Sequence, residues 1–141
     1  MKPQLFALMT AICWGVGGYF EKKGLNLGNL SPTLGITIRT AVAFVILAAA
    51  SYPQWKTIPQ AGSRALYYMV IGGGVVAGAV GMLCFYTALK GAPLNRVMPI
   101  AFTSPLFGAL AGLVFGGDAF TWKMGLGMGM TVGGIILLTL G

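Results

Sequence analysis

The sequence contains no histidine and only two acidic residues, Glu21 and Asp118. Without histidine the chain cannot form a histidine-based catalytic triad or an H-E-x-x-H zinc site. The two acids lie at the ends of different apolar segments, so a paired-carboxylate intramembrane protease would need them brought together. We therefore expect that the protein is not an enzyme and uses neither a cofactor nor a metal ion.

Charged residues of both signs are scarce: they make up 8% of the 141 residues, whereas hydrophobic residues make up 57%. Ordinary soluble domains carry about 25% charged residues. A soluble fold of this size could not bury so much apolar surface, but a bilayer accepts such surface against its lipid tails. The 23 glycines agree with this interpretation, since glycine is more frequent in membrane helices than in soluble ones. The composition therefore indicates an integral membrane protein.

The net charge of +7 would fit a nucleic-acid partner, but the basic residues are not arranged for one. They occur singly or in pairs at the ends of apolar runs, where cytoplasmic leaflets attract them. No basic stripe interleaved with aromatic residues lies on a polar surface. We therefore expect the lipid bilayer, and not nucleic acid, to be the partner of these charges.

Five apolar runs predict an all-α bundle of five membrane-spanning helices, each near the length of about 20 residues that crosses a bilayer. The first run follows Lys2, as in a signal peptide, but no A-x-A cleavage pattern follows it, so we treat it as a membrane helix. The sequence predicts one domain over residues 1–141, with its termini on opposite faces of the membrane. The predicted spans, first to fifth, are residues 3–20, 32–51, 64–89, 94–115 and 121–140.

In the fourth and fifth spans, glycines recur at every fourth position. Such stripes let helix backbones approach closely in lipid, where no hydrophobic effect drives helices together. We therefore expect these two spans to form a tightly packed unit. The six stripe residues are Gly108, Gly112, Gly116, Gly125, Gly129 and Gly133.

The fourth span contains Pro99 and Pro105. Each proline removes a backbone hydrogen bond, and a proline inside a helix kinks it. The hydroxyls of Thr103 and Ser104 could partner some of the freed carbonyl groups. The kink is either a tolerated distortion or a bend that lines a polar cavity, as broken helices do in transporters, and both interpretations stay open.

Arg39 is placed inside the second span, about 10 Å from its start at a rise of about 1.5 Å per residue. Charge at this depth is costly and usually marks a pathway or a paired site. The alternative is snorkelling of the long side chain toward the nearer surface, and the sequence slightly favours it. No carboxylate lies in the middle of a span, unless Glu21 is drawn inward.

Short motifs occur in a fixed order along the chain, one at or near each predicted span. They are Trp14-Gly15, Ser31-Pro32 followed by Arg39, Tyr86-Thr87-Ala88-Leu89-Lys90, Thr103-Ser104-Pro105, Gly117-Asp118 followed by Thr121-Trp122 and Gly125, and Gly133-Gly134. In this order and spacing they resemble the EamA domain of the drug/metabolite transporter superfamily. Asp118 occupies a position where that family has Glu, so the position remains acidic.

The resemblance implies a transporter made of EamA-type repeats, of which this chain supplies one. Full members usually hold two such domains in tandem, with ten helices. The chain should then move small metabolites or related solutes across the cytoplasmic (inner) membrane by alternating access, as a half-size carrier paired with a second copy or a paralogous half-size chain. The alternative is a non-transporting membrane subunit that packs against a larger partner. The motifs select neither the substrate nor the energy coupling.

We expect aromatic, basic and hydroxyl residues of these motifs to face a central substrate path. Aromatic rings offer flat apolar faces with one polar handle, and Arg39 offers a fixed positive charge. Without an acid in the middle of a span, neutral, zwitterionic or anionic solutes are favoured over lipophilic cations. The candidate path residues are Trp14, Arg39, Tyr86, Thr103, Ser104 and Pro105.

Lysine and arginine residues are divided almost equally between the two predicted faces, so the positive-inside rule gives no clear orientation. The N-terminal face carries Lys2, Lys56, Arg64 and Lys123, and the opposite face carries Lys22, Lys23, Lys90 and Arg96, with Arg39 if it snorkels. Two copies in opposite orientations would rebuild an inverted repeat, on which alternating access is commonly built. A single orientation, set by Lys22-Lys23, by Arg39 or by the first helix, is the alternative.

Overall fold

The computed structural model describes residues 3–116 and 119–140, and every regular element in these ranges is helical. The Gly117-Asp118 motif lies outside the described residues. The α-helices are α1 (Pro3–Leu27), α2 (Pro32–Ser51), α3 (Ser63–Tyr67), α4 (Met82–Gly91), α5 (Leu94–Ala101), α6 (Ser104–Ala111) and α7 (Trp122–Leu140). A 3-10 helix covers Tyr52–Ala61, and π-helical segments cover Tyr68–Gly81 and Gly112–Gly116.

The chain divides into two compact units. The first, called here the central unit, comprises Tyr19–Gly91. The second, called here the terminal unit, comprises the residues up to Gly18 together with those from Ala92 onward. The end of α1, all of α2, and the stretch from α3 to α4 therefore belong to the central unit.

Four helical stretches in the described part of the chain are long and apolar enough to cross a membrane. They are Pro32–Ala61, Ser63–Gly91, Leu94–Gly116 and Trp122–Thr139. Helix α1 is not among them, and it carries the charged residues Glu21, Lys22 and Lys23. The predicted all-α fold with membrane-length apolar helices is therefore confirmed, whereas the count of five spans stays a prediction.

Helix α1 continues beyond the end that the sequence predicted. The glycines and asparagines from Gly24 onward indicated a loop, but the helix runs to Leu27. The surrounding Glu, Lys and Leu residues favour a helix, and one interior glycine costs only about 1 kcal/mol. Glu21 consequently lies inside α1 rather than at its end.

A capped turn ends α1. The Leu30 N–H donates to the Leu25 carbonyl over 3.0 Å, and the Asn29 N–H donates to the Asn26 carbonyl over 3.2 Å. Asn29 has a φ of 43°, in the left-handed region that asparagine tolerates better than most residues. These bonds form a Schellman motif, which satisfies carbonyl groups that the helix end would leave unpaired.

Helix α2 begins and ends where the sequence predicted. The Ser31 hydroxyl accepts a hydrogen bond from the Leu34 N–H over 3.2 Å, and Pro32 is the first helical residue. This is the expected capping arrangement, since a proline at that position loses no helical hydrogen bond. The N-terminal end of α2 is thereby fixed against the turn that ends α1.

The predicted third span is interrupted by the π-helical segment Tyr68–Gly81. A Cβ at Gly78 would lie 2.9 Å from the Gly73 carbonyl oxygen, so the wider backbone turn here has no room for a side chain at that position. π-Helical segments are rare and occur frequently at functional sites. The glycines of this segment leave space beside α2.

The predicted fourth span breaks between α5 and α6. Helix α5 ends at Ala101, and α6 begins at Ser104 with Pro105 in its first turn. The Thr103 hydroxyl donates to the Ile100 carbonyl over 2.7 Å, which satisfies one carbonyl group at the break. The expected proline-induced distortion is therefore present, with a threonine hydroxyl as one of the expected partners.

Candidate substrate site

In the central unit, α2 packs closely against the end of α1 and against α4. The side chains of Leu25, Tyr86 and Leu89 are almost wholly buried. Gly35 permits this approach, because a Cβ on it would lie 2.5 Å from Leu25 Cδ2 and 3.1 Å from two atoms of the Tyr86 ring. The contact holds Tyr86 beside the charged residues of α1 and α2.

Glu21 of α1 and Arg39 of α2 form an ion pair, with 2.7 Å between Glu21 Oε1 and Arg39 Nε. Tyr86 lies beside the same carboxylate, and the charges of Glu21 and Arg39 both act on its hydroxyl electrostatically. Arg39 therefore has the paired environment that was the less favoured of the two sequence interpretations. The three residues are called here the Glu21–Arg39–Tyr86 cluster.

Glu21 reaches Arg39 because α1 is longer than predicted. At about 1.5 Å per residue, Glu21 lies about 9 Å before the end of the helix at Leu27. Glu21 is thus close enough to pair with Arg39, whereas its depth in a bilayer stays a prediction. A neutral pair is far less costly in an apolar segment than a lone charge, although removing both groups from water still costs free energy.

The Arg39 guanidinium keeps one edge open. Glu21 takes the Nε side of the guanidinium, and no hydrogen bond or ion pair joins Arg39 to another of the described residues. The Arg39 side chain is 40% exposed. Because a guanidinium binds carboxylate and phosphate groups through two parallel N–H donors, this free edge can bind a second anionic group.

A groove of about 720 Å³ lies beside this free edge, between α2 and the π-helical segment. It is called here the α2 groove, and its lining includes Thr33, Thr37, Arg39, Thr40, Phe44, Gly74, Gly78 and Leu83. The lining is mostly apolar, with Arg39 as its charged group. The Thr37 hydroxyl donates to the Thr33 carbonyl over 2.8 Å, so its oxygen remains an acceptor for a bound molecule.

Two lysines of the central unit each bind the end of the other's helix: Lys22 of α1 binds the end of α4, and Lys90 of α4 binds the end of α1. Lys22 Nζ donates to the Leu89 carbonyl at the end of α4 over 2.6 Å. Lys90 Nζ donates to Asn29 Oδ1 over 3.1 Å and to the carbonyl groups of Leu30 and Leu25 over 3.0 and 3.3 Å. Cations are favourable at helix C-termini, so these contacts fix α1 to α4 beside the cluster.

The structure brings together two of the six predicted path residues. Arg39 and Tyr86 lie in the central unit, where Arg39 pairs with Glu21 and Tyr86 lies beside that pair. Trp14, Thr103, Ser104 and Pro105 lie in the terminal unit. Within the described residues, no hydrogen bond or ring contact joins Trp14 to the helix break at Thr103, so their common path stays a prediction.

Three of the six stripe glycines face open space in the described part of the chain. A Cβ at Gly108, Gly129 or Gly133 would meet no atom within 4 Å, and one at Gly125 would lie 2.7 Å from Phe120 Cζ. In the terminal unit, α7 packs against α5, which precedes the stripe of the fourth span. Close packing of the fourth and fifth spans along the stripes therefore stays a prediction.

Sequence reasoning missed Glu21, Gly35 and the two capping lysines as parts of the site. The signal for Lys90 was present in the motif that ends with it, since Tyr86 and Lys90 are one helical turn apart and both contact α1. Gly35 had no signal of its own among 23 glycines. Its importance depends on which helices pack around it.

Comparisons with known proteins agree on a family of transporters. The model of the EamA-like transporter family matches residues 1–140. A Sinorhizobium sp. protein named as an uncharacterized transporter in the cobO 3′ region is 26% identical over 137 residues, which cover 96% of this chain and 94% of that protein. A probable 4-amino-4-deoxy-L-arabinose-phosphoundecaprenol flippase subunit, ArnF, from Erwinia tasmaniensis is 39% identical over 67 residues, which cover 46% of this chain and 53% of that protein. No solved structure matches the chain.

Proposed function

Because the chain belongs to the EamA-like transporter family and is a membrane transporter, we propose that it moves small metabolites or related solutes across the cytoplasmic (inner) membrane. We propose further that it does so as one half of a two-domain carrier, with α1 as a fifth span. The second half is another copy of the chain or a paralogous chain. Its mechanism is alternating access, in which inverted halves expose a central site to each side in turn.

The observation that supports transport most directly is the Glu21–Arg39–Tyr86 cluster beside the α2 groove. Replacing an ion pair in an apolar region by apolar side chains is often neutral or stabilising. A charged pair that borders a groove therefore favours a role in binding over one in stability. Ionisable residues inside membrane segments generally mark substrate or ion pathways.

The broken fourth span supports a moving carrier. A helix that is interrupted between α5 and α6 lacks regular helical hydrogen bonding at the break and can bend there more readily than a continuous helix. Discontinuous helices of this kind form the binding sites of many secondary transporters. The π-helical segment of the third span gives a second place where backbone geometry departs from a regular α-helix.

A partner chain is supported by the open glycine stripes and by the balanced charges. Stripe positions with open space beside them, such as Gly108, Gly129 and Gly133, are suited to close contact with another membrane helix. The name of the similar Erwinia protein contains the word subunit, which agrees with a carrier assembled from more than one chain. The alternative, a non-transporting membrane subunit, shares all of these packing features.

Transport by purified protein distinguishes the two functions. Liposomes with the protein are loaded with a mixture of small metabolites, and the compounds that leave are identified by mass spectrometry. We expect a limited set of compounds to leave faster than from empty liposomes and from liposomes with the Arg39→Gln variant. If no compound leaves faster with the wild-type protein, alone or with a co-purified partner chain, the protein is a non-transporting subunit.

A further inference from the structure

We propose that the Nη edge of Arg39 binds the oxyanion of an amphipathic substrate that carries a single negative charge, with the apolar body of the substrate in the α2 groove. Carboxylates and phosphate diesters have this chemistry. The inference rests on the proposed function, because it names the class of solute that the carrier selects. The source of the anion is either a free solute or the headgroup of a membrane lipid.

The geometry of the guanidinium supports binding of an anion without loss of the ion pair. Glu21 approaches the Nε side of the guanidinium, at 2.7 Å, and so fixes its plane, while no other described residue forms a hydrogen bond or ion pair with Arg39. Two N–H groups on one edge match the two oxygens of a carboxylate or phosphate. Glu21 is thus a positioning residue, and Arg39 contacts the substrate.

The lining of the groove determines the chemistry of the part of the substrate that is attached to the anion. Phe44, Leu83 and the glycines of the π-helical segment offer apolar surface next to Arg39, so the body attached to the anion is apolar. A volume of about 720 Å³ is within the range of about 300–1,000 Å³ that small-molecule sites occupy. The groove is also open along α2, a candidate membrane span, so a lipid tail could occupy it as well as a free solute.

The charge balance limits the anion to one negative charge. The Glu21–Arg39 pair is neutral, so the occupied cluster carries the charge of the ligand alone. A second negative charge on the ligand would be repelled by the Glu21 carboxylate, while Arg39 offers only one positive charge to offset it. The site therefore prefers a carboxylate or a phosphate diester to a dianionic phosphate monoester.

Ligand-induced thermal stabilisation of the purified protein in uncharged detergent tests this proposal. The free probes are benzoate, benzylamine and phenyl phosphate above pH 7, and the lipid probes are phosphatidylglycerol and phosphatidylcholine. Benzoate, phosphatidylglycerol or both should stabilise the protein, with little effect of the neutral-headgroup lipid or the amine. Stabilisation by benzoate alone identifies a free solute, and stabilisation by phosphatidylglycerol alone identifies a lipid. No stabilisation by either overturns the proposal.

Variants of Arg39 and Glu21 distinguish a loss of anion recognition from a loss of folding. Arg39→Gln should weaken anion binding roughly tenfold to a hundredfold, the loss expected for a charge-assisted hydrogen bond. The double variant Glu21→Gln with Arg39→Gln removes the pair without leaving a lone charge, and it should also fail to bind. Lys56→Gln makes the same change of charge outside the groove and should bind normally. Binding by the double variant as tight as that of the wild type contradicts the proposal.

The variant Glu21→Gln gives a result that a purely structural role would not. It leaves Arg39 with a net positive charge, so affinity for dianionic phenyl phosphate should rise relative to affinity for benzoate. An unchanged ratio of the two affinities contradicts the proposed charge balance. These measurements detect binding alone. Anion binding without transport would refute the proposed function but not this site. Transport without anion binding would refute this site but not the proposed function.

Discussion

Gly35 of α2 and the Tyr86 ring of α4 are in contact: a Cβ on Gly35 would lie 3.1 Å from Tyr86 Cδ1 and Cε1. The same Cβ would lie 2.5 Å from Leu25 Cδ2. This approach sets the distance between α2 and the other two helices, and therefore the position of Tyr86 relative to the Glu21–Arg39 pair.

Gly35→Ala should lower the stability of the protein by about 1–3 kcal/mol, because overpacking a well-filled contact forces neighbouring side chains to shift. The shift should also weaken substrate binding, since Tyr86 moves with it. Thermal unfolding in detergent measures the first effect. Gly24→Ala is the matched control: it lies in α1, meets no atom within 4 Å, and should be neutral or stabilising. Equal behaviour of the two variants would contradict the close contact at Gly35.

Lys90→Met should also destabilise the central unit, by about 1–2 kcal/mol, because the ammonium binds three oxygens at the end of α1 and complements the helix dipole. The methionine keeps the apolar stem, so the loss reports the charge. Lys23→Met is the control, since Lys23 is an exposed neighbour in the same region. A thermal midpoint that falls no further in Lys90→Met than in Lys23→Met would show that the capping contacts contribute nothing.

The glycine stripes should act in assembly. Gly112→Leu and Gly129→Leu should separate helices of neighbouring chains, because lipid offers no hydrophobic drive to restore the contact. Gly127→Leu changes a glycine of α7 outside the stripe, which also meets no atom within 4 Å, and should assemble normally. Size-exclusion chromatography with light scattering measures the oligomer. Assembly that is unchanged in both stripe variants contradicts the predicted packing face.

Membrane orientation should be balanced, because nearly equal charge on the two faces leaves the two insertions close in free energy. C-terminal reporters that are active only inside or only outside the cytoplasm should both give a signal. Added lysines after Gly141 should shift their ratio strongly. Lys23→Gln is a cleaner loss of charge than Lys22→Gln, since Lys22 binds the Leu89 carbonyl. If only one reporter gives a signal and the charge changes do not alter it, the protein has a single orientation.

The same reporters count the spans. With α1 as a fifth span, a reporter at the N-terminus and one at the C-terminus lie on opposite sides of the membrane in every molecule. With four spans they lie on the same side. Labelling of single oriented molecules therefore decides whether α1 crosses the bilayer.

Sequence periodicity and composition predicted the helices but not the partners of their side chains. The capped start of α2 at Ser31-Pro32 and the break near Pro105 are local effects, and local signals were sufficient to predict them. The predicted end of α1 was wrong. Glycine and asparagine end a helix only where no tertiary contact stabilises further helical residues. Here the Lys90 contacts and the Schellman turn stabilise the additional helical residues.

The wrong end of α1 also affected the prediction of the site. Placing Glu21 at a helix end separated it from Arg39, so no partner was predicted for Arg39 and snorkelling was slightly favoured. Pairing between residues of different helices is set by packing, and Gly35 decides that packing through a contact that no single-sequence pattern encodes. Tyr86 and Arg39 were nevertheless predicted as path residues, because a charge inside a span usually has a function and a tyrosine offers a flat apolar face with one polar handle.

The claim that the α2 groove is a water-accessible path through the membrane is tested most directly by cysteine labelling. The exposed Cys13 and Cys84 are first replaced by serine, and then Thr37→Cys, in the groove, is compared with Ile38→Cys, the adjacent exposed position outside its lining. A membrane-impermeant maleimide should label Thr37→Cys rapidly in intact membranes, and benzoate or phosphatidylglycerol should slow that reaction. Ile38→Cys, at the same depth but facing away from the groove, should react slowly with or without these probes. Equal, slow labelling at both positions would contradict a substrate path at Arg39.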